Sequence, residues 1–245
     1  MLTGTIINAL AILAGSLAGL ALRAATSRSA VKKPAGAEPL GHRLQTIIMQ
    51  GVALCVLYIG ISGSFKGQNT LIAILSIALG AVIGESLDLD RRIHALGDWV
   101  QARVSRLLPT REGAPSISDG FVTASLLFCV GAMAIVGALE NGLTGNYDTL
   151  KAKSVLDGIS SIVFASSLGV GVSFSAVAIL LYQGSISLLA GLLSPLLGEA
   201  VIAEMTCVGS LLIVALGLNM LNITSIKVMN LVPAIFLPIL LCMVL

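Results

Sequence analysis

The chain has 245 residues, of which 56% are hydrophobic and only 11% are charged. A soluble domain usually carries about 25% charged residues, so a water-soluble protein of this length could not bury so much apolar surface. The net charge is +2, and no basic patch with interleaved aromatic residues supports nucleic-acid binding. The composition therefore predicts an all-α, polytopic membrane helical bundle that forms a single integral membrane domain over residues 1–245.

Eight apolar runs are long enough to be transmembrane helices. They cover residues 2–22, 47–64, 71–87, 121–139, 155–172, 174–197, 206–221 and 228–245. No basic residue precedes the first run, so we interpret it as a membrane span rather than a cleaved signal peptide. The sixth run has Gln183-Gly184 near its centre and forms either one tilted helix or two half-helices.

Three polar segments connect these runs. Residues 24–42 are rich in Ala, Pro, Gly and charge, which predicts a mobile cytoplasmic loop. Residues 88–108 carry apolar side chains at steps of three and four, which predicts an amphipathic helix on the inner membrane surface. A helix docked on another protein element is the alternative for this segment. Residues 109–119 are interpreted as a linker.

The positive charges predict the orientation of the chain. With eight spans, eleven Lys and Arg residues fall on one side of the membrane and only Lys66, Lys151 and Lys153 fall on the other. A seven-span arrangement would lose this asymmetry. We therefore expect the basic loops in the cytoplasm and both termini outside.

A weak internal repeat links two of the runs. Residues 54–62 overlay residues 211–219 when the sequence is shifted by 157 positions, and the two helices are predicted to run in opposite directions. An inverted repeat of helices 1–3 and 6–8 is one interpretation, and it is a common plan in transporters. Chance similarity is the other, because residues 54–63 also overlay residues 128–137 on a parallel helix.

Several polar residues lie within the apolar runs. Polar side chains in lipid are costly and usually face a partner or a cavity, so these residues are candidates for binding a substrate or an ion. The candidates are Asp157, Gln183, Gln50, Ser160, Ser161, Tyr182 and Asn219.

Asp157 has two interpretations. With Ser154 it fits the S-x-x-D capping box at the start of a helix, and Lys153 stands four residues earlier as a possible ionic partner. Alternatively, Asp157 is a titratable or cation-binding carboxylate at the outer mouth of a polar path lined by Ser160 and Ser161. These serines also have an alternative role, because small residues let membrane helices pack closely.

Gln183 is the candidate at the centre of the sixth run. An amide beside a glycine suits a helix break that frees backbone groups for an ion or a substrate, and Tyr182 would flank it. Gln50-Gly51 repeats the same pair in the second run. The alternative for Gln183 is a hydrogen bond across a helix interface. Asn219 is either a site residue or part of a helix C-terminal cap.

The sequence predicts no cofactor, no metal centre and no enzymatic activity. The four cysteines lie inside apolar runs without CxxC spacing, and the two histidines are far apart in polar segments. HExxH, GxSxG and P-loop motifs are all missing from the sequence.

Five segments carry a resemblance to a known family. They are MLTGTIINALAILAGSLAGL, IMQGVALCVLYIGISG, FVTASLLFCVGAMAIVGALENGLTGN, KSVLDGISSIVFASSLGVGVSFSA and LLYQGSISLLAGLL. Together they resemble the bacterial membrane-protein family called domain of unknown function 554, over nearly the whole chain. The resemblance implies a multi-pass protein of the bacterial inner membrane, and it supplies neither a substrate nor catalytic residues.

Two functions fit these features. The first is a transporter of a small solute or monovalent ion that works by alternating access, with Asp157 as the candidate for ion coupling. The alternative is a non-transporting scaffold or regulatory subunit that binds partner helices and anionic lipid. Membrane lipids are expected partners in both cases, and the small-residue helix faces favour a homodimer.

Overall fold

The computed structural model describes residues 2–29, 40–104, 116–130 and 132–244. These residues form helices and no strands, which confirms the predicted all-α bundle. The long helices are α1 (Thr3–Ser29), α2 (Leu40–Ser64), α3 (Thr70–Leu87), α4 (Leu89–Val104), α5 (Ile117–Cys129), α6 (Ala132–Thr144), α7 (Asp148–Leu168), α8 (Gly171–Leu188) and α10 (Glu199–Met220). The short ones are α9 (Ala190–Leu193), α11 (Val228–Leu231) and α12 (Pro238–Leu241), with a 3₁₀ turn, Val232–Phe236, between α11 and α12.

The described helices include five that are long and apolar enough to cross a membrane. These spans are Thr3–Ala25, Thr46–Ser64, Thr70–Leu87, Gly171–Leu188 and Glu199–Met220. The pair α5 and α6 gives a sixth if the two helices, which are bent by 63°, form one broken span. A polytopic membrane fold is therefore confirmed, whereas the count of eight spans is not.

The two remaining predicted spans differ from the others for separate physical reasons. Helix α7 contains four charged residues, each of which is costly in lipid. The last run, predicted at 228–245, divides into α11, the 3₁₀ turn and α12. Pro233 and Pro238 lack the backbone N–H groups that a continuous helix would need there.

The breaks in the apolar helices lie in unexpected places. Helix α8 continues through Gln183-Gly184, so of the two alternatives for the sixth run the break at this pair does not form. A glycine costs a helix only about 1 kcal/mol relative to alanine, and Gly184 is buried beside Leu2, which immediately precedes α1. The fourth predicted span, 121–139, is instead two helices that separate at Val130, whose backbone is extended.

The predicted loop 24–42 is shorter than expected. Helix α1 extends to Ser29 and α2 begins at Leu40, so both ends of the predicted loop are helical. The alanines at the end of the first run favour this extension, because Ala has the highest helix propensity. The central part of the predicted loop, 30–39, lies outside the described residues.

The segment after α3 agrees with the prediction over most of its length. Helix α4 confirms a helix within 88–108, and residues 105–108 lie outside the described residues. In the predicted linker 109–119, residues 117–119 already belong to α5. The linker prediction is wrong for these three residues, and 109–115 lie outside the described part of the chain.

Glycines bring α1 and α7 into direct backbone contact. A side chain at Gly15 would overlap the carbonyl oxygen of Gly158, and one at Gly19 would overlap the carbonyl oxygen of Ile162. These contacts advance in the same direction along both helices, so α1 and α7 are parallel. In membranes such close approach is a main source of packing energy between helices.

Helices α2 and α10 pack antiparallel around a symmetric pair of contacts. Gly60 lies against Val214, and Leu57 lies against Gly217. Gly217 is 157 positions after Gly60, and Val214 is 157 positions after Leu57. The two contacts are therefore equivalent under the shift that defines the sequence repeat. Such a symmetric antiparallel pairing is consistent with an inverted repeat, whose halves are related by a two-fold axis in the membrane plane.

The other helices of the proposed repeat also meet their counterparts. Helix α3 packs antiparallel to the C-terminal segment, with Gly80 against Ala234 and Gly84 against Asn230. Helix α1 contacts α8 near Leu2. The arrangement of all three pairs agrees with the inverted-repeat interpretation.

The glycine contacts lead to a stability prediction. Gly15→Ala should lower the thermal unfolding midpoint of the purified protein, because the new methyl group must displace the α7 backbone, and overpacking costs about 1–3 kcal/mol. Gly51→Ala is the matched control, because its added Cβ meets no residue of another described element within 4 Å. The control should be as stable as the native chain or slightly more so. Equal midpoints for the two variants would contradict the tight α1–α7 contact.

Candidate functional site

Four buried polar residues meet inside the bundle, where α1, α7 and α8 come together. Asn8, Lys153, Asp157 and Gln183 are each at most 7% exposed. We refer to these four residues as the polar cluster. Asp157 and Gln183 were both candidates from the sequence, and the structure brings them to the same place.

The carboxylate of Asp157 is the centre of the polar cluster. Lys153 Nζ lies 2.9 Å from Oδ1 and 2.8 Å from Oδ2 of Asp157. Asn8 Nδ2 donates a hydrogen bond to Oδ2 at 3.0 Å and lies 3.4 Å from Gln183 Oε1. The ion pair is neutral overall, which is how a protein interior tolerates a buried carboxylate.

The predicted capping box at Ser154 and Asp157 is wrong. Helix α7 begins at Asp148, so Asp157 lies more than two turns inside the helix. The hydroxyl of Ser154 donates to the carbonyl of Leu150 at 2.6 Å instead of capping the helix. Lys153 and Asp157 consequently form an i, i+4 pair on one face of α7.

Three buried polar atoms at the polar cluster have no hydrogen-bond partner among the described residues. They are Asn8 Oδ1, Gln183 Nε2 and, one turn earlier on α1, Thr5 Oγ1. An unpaired buried donor or acceptor costs about 1–3 kcal/mol. These atoms therefore provide both a donor and acceptors for a small polar ligand or for water.

A large cavity opens at the end of the bundle where α4 lies. Its volume is about 790 Å³. The polar residues that line it include Gln50, Asp90, His94, Asp119, Thr123 and Asn219. We call this cavity the vestibule. Gln50 and Asn219, two of the sequence candidates, lie here and not in the polar cluster.

The vestibule is acidic. His94 Nε2 lies 3.7 Å from Asp90 Oδ2, and His94 Nδ1 lies 2.8 Å from the hydroxyl of Ser118. Asp119 adds a second carboxylate, and within the described part of the chain no Lys or Arg belongs to the lining. Such a cavity favours a cationic or neutral solute over an anion.

Asn219 holds the loop between α10 and α11. Its Oδ1 accepts hydrogen bonds from Ile226 N at 2.9 Å and Thr224 Oγ1 at 2.7 Å, and its Nδ2 donates to Ile226 O at 2.7 Å. In the same loop Lys227 donates to Glu85 at 3.0 Å, and this hydrogen bond raises the pKa of Lys227. Because its polar atoms are already engaged, Asn219 shapes the vestibule wall rather than binding a solute.

The other sequence candidates lie apart from the polar cluster. The Ser161 hydroxyl donates to the carbonyl of Gly158 at 2.8 Å and lies against Gly15, so its role is in packing. Ser160 is half-buried on the same helix. Tyr182 lines a second cavity, of about 440 Å³ and mainly apolar, between α5, α8 and the C-terminal segment.

The polar cluster and the vestibule share one face of α7. Asp157, Phe164 and Leu168 follow one another at steps of seven and four residues, which places them on the same face, and Leu168 lines the vestibule. The eleven residues from Asp157 to Leu168 span about 16 Å of helix. Between them Phe164 packs against Phe128, with ring centroids 6.1 Å apart. Along α7, Phe164 therefore lies between the position that lines the vestibule and the position that belongs to the polar cluster.

The set of site residues predicted from the sequence omits several members of both regions. Asn8 carries a usable signal, because it is the only amide in the first apolar run. Asp90, His94 and Asp119 carry no such signal, because they lie in polar segments between the apolar runs, where charged residues are expected. Among the described residues, no group of three or more His, Cys, Asp or Glu side chains could hold a metal ion.

Comparison with known proteins places the chain in a family. A family model described as "Protein of unknown function (DUF554)" matches residues 3–243. The chain belongs to the DUF554 family. Because the match covers nearly the whole chain, the polar cluster and the vestibule both lie within the DUF554 region, and the resemblance seen in the sequence is confirmed.

Two bacterial proteins are similar to the chain over nearly its whole length. "Uncharacterized membrane protein YdfK" of Bacillus subtilis (strain 168) is 31% identical over 239 residues, covering 96% of this chain and 93% of the relative. "Uncharacterized protein YqgA" of Escherichia coli (strain K12) is 32% identical over 239 residues, covering 97% and 94% respectively. No solved structure matches the chain.

The buried ion pair of this DUF554 protein leads to a second prediction. Lys153→Met should lower the free energy of unfolding by about 3–5 kcal/mol, because it leaves Asp157 buried without a positive charge. The double variant Lys153→Met/Asp157→Leu should recover most of this loss. Unfolding in detergent, followed by heat or by denaturant, measures both effects.

Lys151→Met is the control for this experiment, because Lys151 is exposed on the same helix. It should leave the stability unchanged. If Lys153→Met were no less stable than Lys151→Met, the pair would not be a buried ion pair of the folded state.

Proposed function

We propose that this DUF554 protein is a membrane transporter of a small polar solute or ion that works by alternating access. The polar cluster carries the proposal, because it places an ion pair and two amides with unpaired atoms inside a membrane bundle. Ionisable groups in such positions are costly and mark substrate or ion pathways. The vestibule opens at one end of the same bundle.

The proposed binding site lies beyond the aromatic pair. A solute that enters the vestibule meets Phe128 and Phe164 before it reaches Asn8 and Gln183. In this arrangement the vestibule is open and the polar cluster is occluded. The cargo must be small, because only a few polar atoms converge at the site.

Asp157 is the proposed coupling residue. Its carboxylate is already neutralised by Lys153 at 2.8 Å, so a proton or a monovalent cation competes with Lys153 for this group. Binding of either one weakens the ion pair and frees the Lys153 ammonium for other contacts. Such an exchange links occupancy of Asp157 to the arrangement of α1, α7 and α8.

A scaffold or regulatory subunit is the second candidate. The observation that favours it is the completeness of the ion pair, because Lys153 compensates Asp157 without any ligand. A scaffold, however, gives no role to a vestibule of about 790 Å³. Binding of a specific solute separates the two candidates.

We place the protein in the bacterial inner membrane with the vestibule end in the cytoplasm. Residues from α2, α4, α5, α7 and α10 line the same vestibule, so the segments that join these helices lie at one end. Arg91, Arg92 and Lys227 neighbour vestibule residues in the chain and are among the eleven Lys and Arg residues that the sequence predicts on one side of the membrane, and positive charge accumulates on the cytoplasmic side. Both termini then lie outside.

The ligand prediction tests transport directly. The purified protein is screened by thermal unfolding against small cations and neutral polar metabolites at several pH values. A ligand at a hundredfold excess over its Kd stabilises the fold by about 2.7 kcal/mol. We expect such a ligand, and we expect liposomes that contain the protein to take it up.

The ligand effect should disappear in Gln183→Met, which removes a site amide and leaves the ion pair in place. Ser185→Ala should retain the effect, because Ser185 is exposed two residues further along the same helix. A broad panel without any stabilising solute, in which only lipid stabilises the protein, would contradict transport and favour the scaffold.

The orientation prediction uses the intact chain with a reporter at its C-terminus. Alkaline phosphatase fused after Leu245 should be active in bacterial cells, and green fluorescent protein at the same position should be dark, because the first reporter works outside the cytoplasm and the second works inside. The opposite pair of results would place the vestibule end outside.

A further inference from the structure

Glu204 is a buried carboxylate that the proposed transport path does not use. It lies in the second turn of α10, at the end of the bundle opposite to the vestibule, and is 3% exposed. Its Oε1 accepts hydrogen bonds from the backbone N–H groups of Gln68 at 2.6 Å and Asn69 at 2.8 Å. Its Oε2 has no hydrogen-bond partner among the described residues.

These hydrogen bonds tie α10 to the loop between α2 and α3, residues 65–69. Asn69 is the N-cap of α3, and its side chain accepts a hydrogen bond from Leu71 N. The attachment of the loop to Glu204 therefore fixes where α3 begins. Because α3 in turn packs on the C-terminal segment, one side chain of α10 positions two other parts of the bundle.

The end of the bundle beside Glu204 is tightly closed. Gly63 lies against Ser210, and Gly67 lies against Cys207, with no room for a side chain at either glycine. The antiparallel contact between α2 and α10 thus continues without a gap up to the loop that Glu204 holds.

The same helix pair is open at its other end. Gln50 of α2 and Asn219 of α10 line the vestibule. Under the shift of 157 positions, the counterpart of Gln50 is Cys207, and that of Asn219 is Ser62. At the closed end Cys207 is buried beneath Gly67. Positions of α2 and α10 that are equivalent under this shift therefore line a cavity at one end of the helix pair and lie at the closed end on the other side.

We propose that Glu204 is a latch that holds the end opposite to the vestibule closed, and that loss of its hydrogen bonds to Gln68 and Asn69 opens this end. The inference rests on the proposed function, because alternating access requires the closed end to open. The chemistry of the latch suits reversible closure. Hydrogen bonds from two amides to a carboxylate favour the closed form, whereas burial of a carboxylate that forms no ion pair with the described residues opposes it.

A native cysteine reports on the latch. Cys207 is 7% exposed beneath the loop, so opening of this end makes its thiol accessible. The full-length protein in lipid nanodiscs is treated with a membrane-impermeant maleimide, and the labelling rate of each cysteine is read by peptide mass spectrometry. Glu204→Ala should raise the labelling rate of Cys207 about tenfold or more, because hydrogen bonds to a charged group are lost.

Two further variants isolate the cause. Glu204→Gln should keep Cys207 protected close to the native level, because the amide oxygen still accepts both N–H groups. Glu199→Ala should also keep it protected, since Glu199 is exposed in the first turn of the same helix. Rapid labelling of Cys207 in both of these variants would overturn the latch.

The other cysteines distinguish opening from unfolding. Cys129 lies in α5 and should stay slow to label in Glu204→Ala if only one end opens. A parallel rise at Cys129 and Cys207 would mean loss of the fold and would overturn a local latch. Continued protection of Cys207 in Glu204→Ala would also overturn it. This readout needs no cargo, so its failure is distinct from failure of the ligand panel, which would instead overturn transport.

Discussion

The close contact between α1 and α7 sets the geometry on which the polar cluster depends. Gly15 and Gly19 let the two backbones touch, and this contact brings Asn8 within 3.0 Å of Asp157. Larger residues at these glycines would move α1 outward and remove the amide from the carboxylate. The close packing of α1 on α7 and the hydrogen bonding of the buried Asp157 carboxylate therefore depend on the same two glycines.

Part of the site can be predicted from the sequence, because some of its polar residues lie inside apolar runs. Asp157 and Gln183 stand out because an ionisable or amide group inside an apolar run needs a partner. Gln50 follows the same rule but lies near the start of the span Thr46–Ser64, on the wall of an open cavity, where the cost of a polar group is small. Glu204 gives no signal, because it precedes the predicted start of its apolar run and resembles an interfacial residue. Only the loop folded over it, residues 65–69, makes it buried.

The sequence locates the helices better than their ends and breaks. The bend at Val130 has no counterpart in the apolar pattern, whereas Gln183-Gly184 has the pattern of a break and none forms. The start of α7 is hidden by its polar first turns, yet Leu150 in those turns is fully buried and contacts Gly4 of α1. Tertiary contacts of this kind, more than intrinsic propensity, decide where a helix begins.

The charged residues of α7 also bear on how the chain is made. Lys and Asp each cost about 2.5–3.5 kcal/mol at the centre of a helix entering the bilayer, so α7 gains little from entering as an isolated segment. Lys153 and Asp157 reduce this cost within the helix itself, since they form a neutral pair one turn apart. Helix α1 is synthesised long before α7, so Asn8 is already in the membrane when Asp157 leaves the ribosome. The order of synthesis thus provides the hydrogen-bond donor on α1 before the carboxylate on α7 that accepts from it.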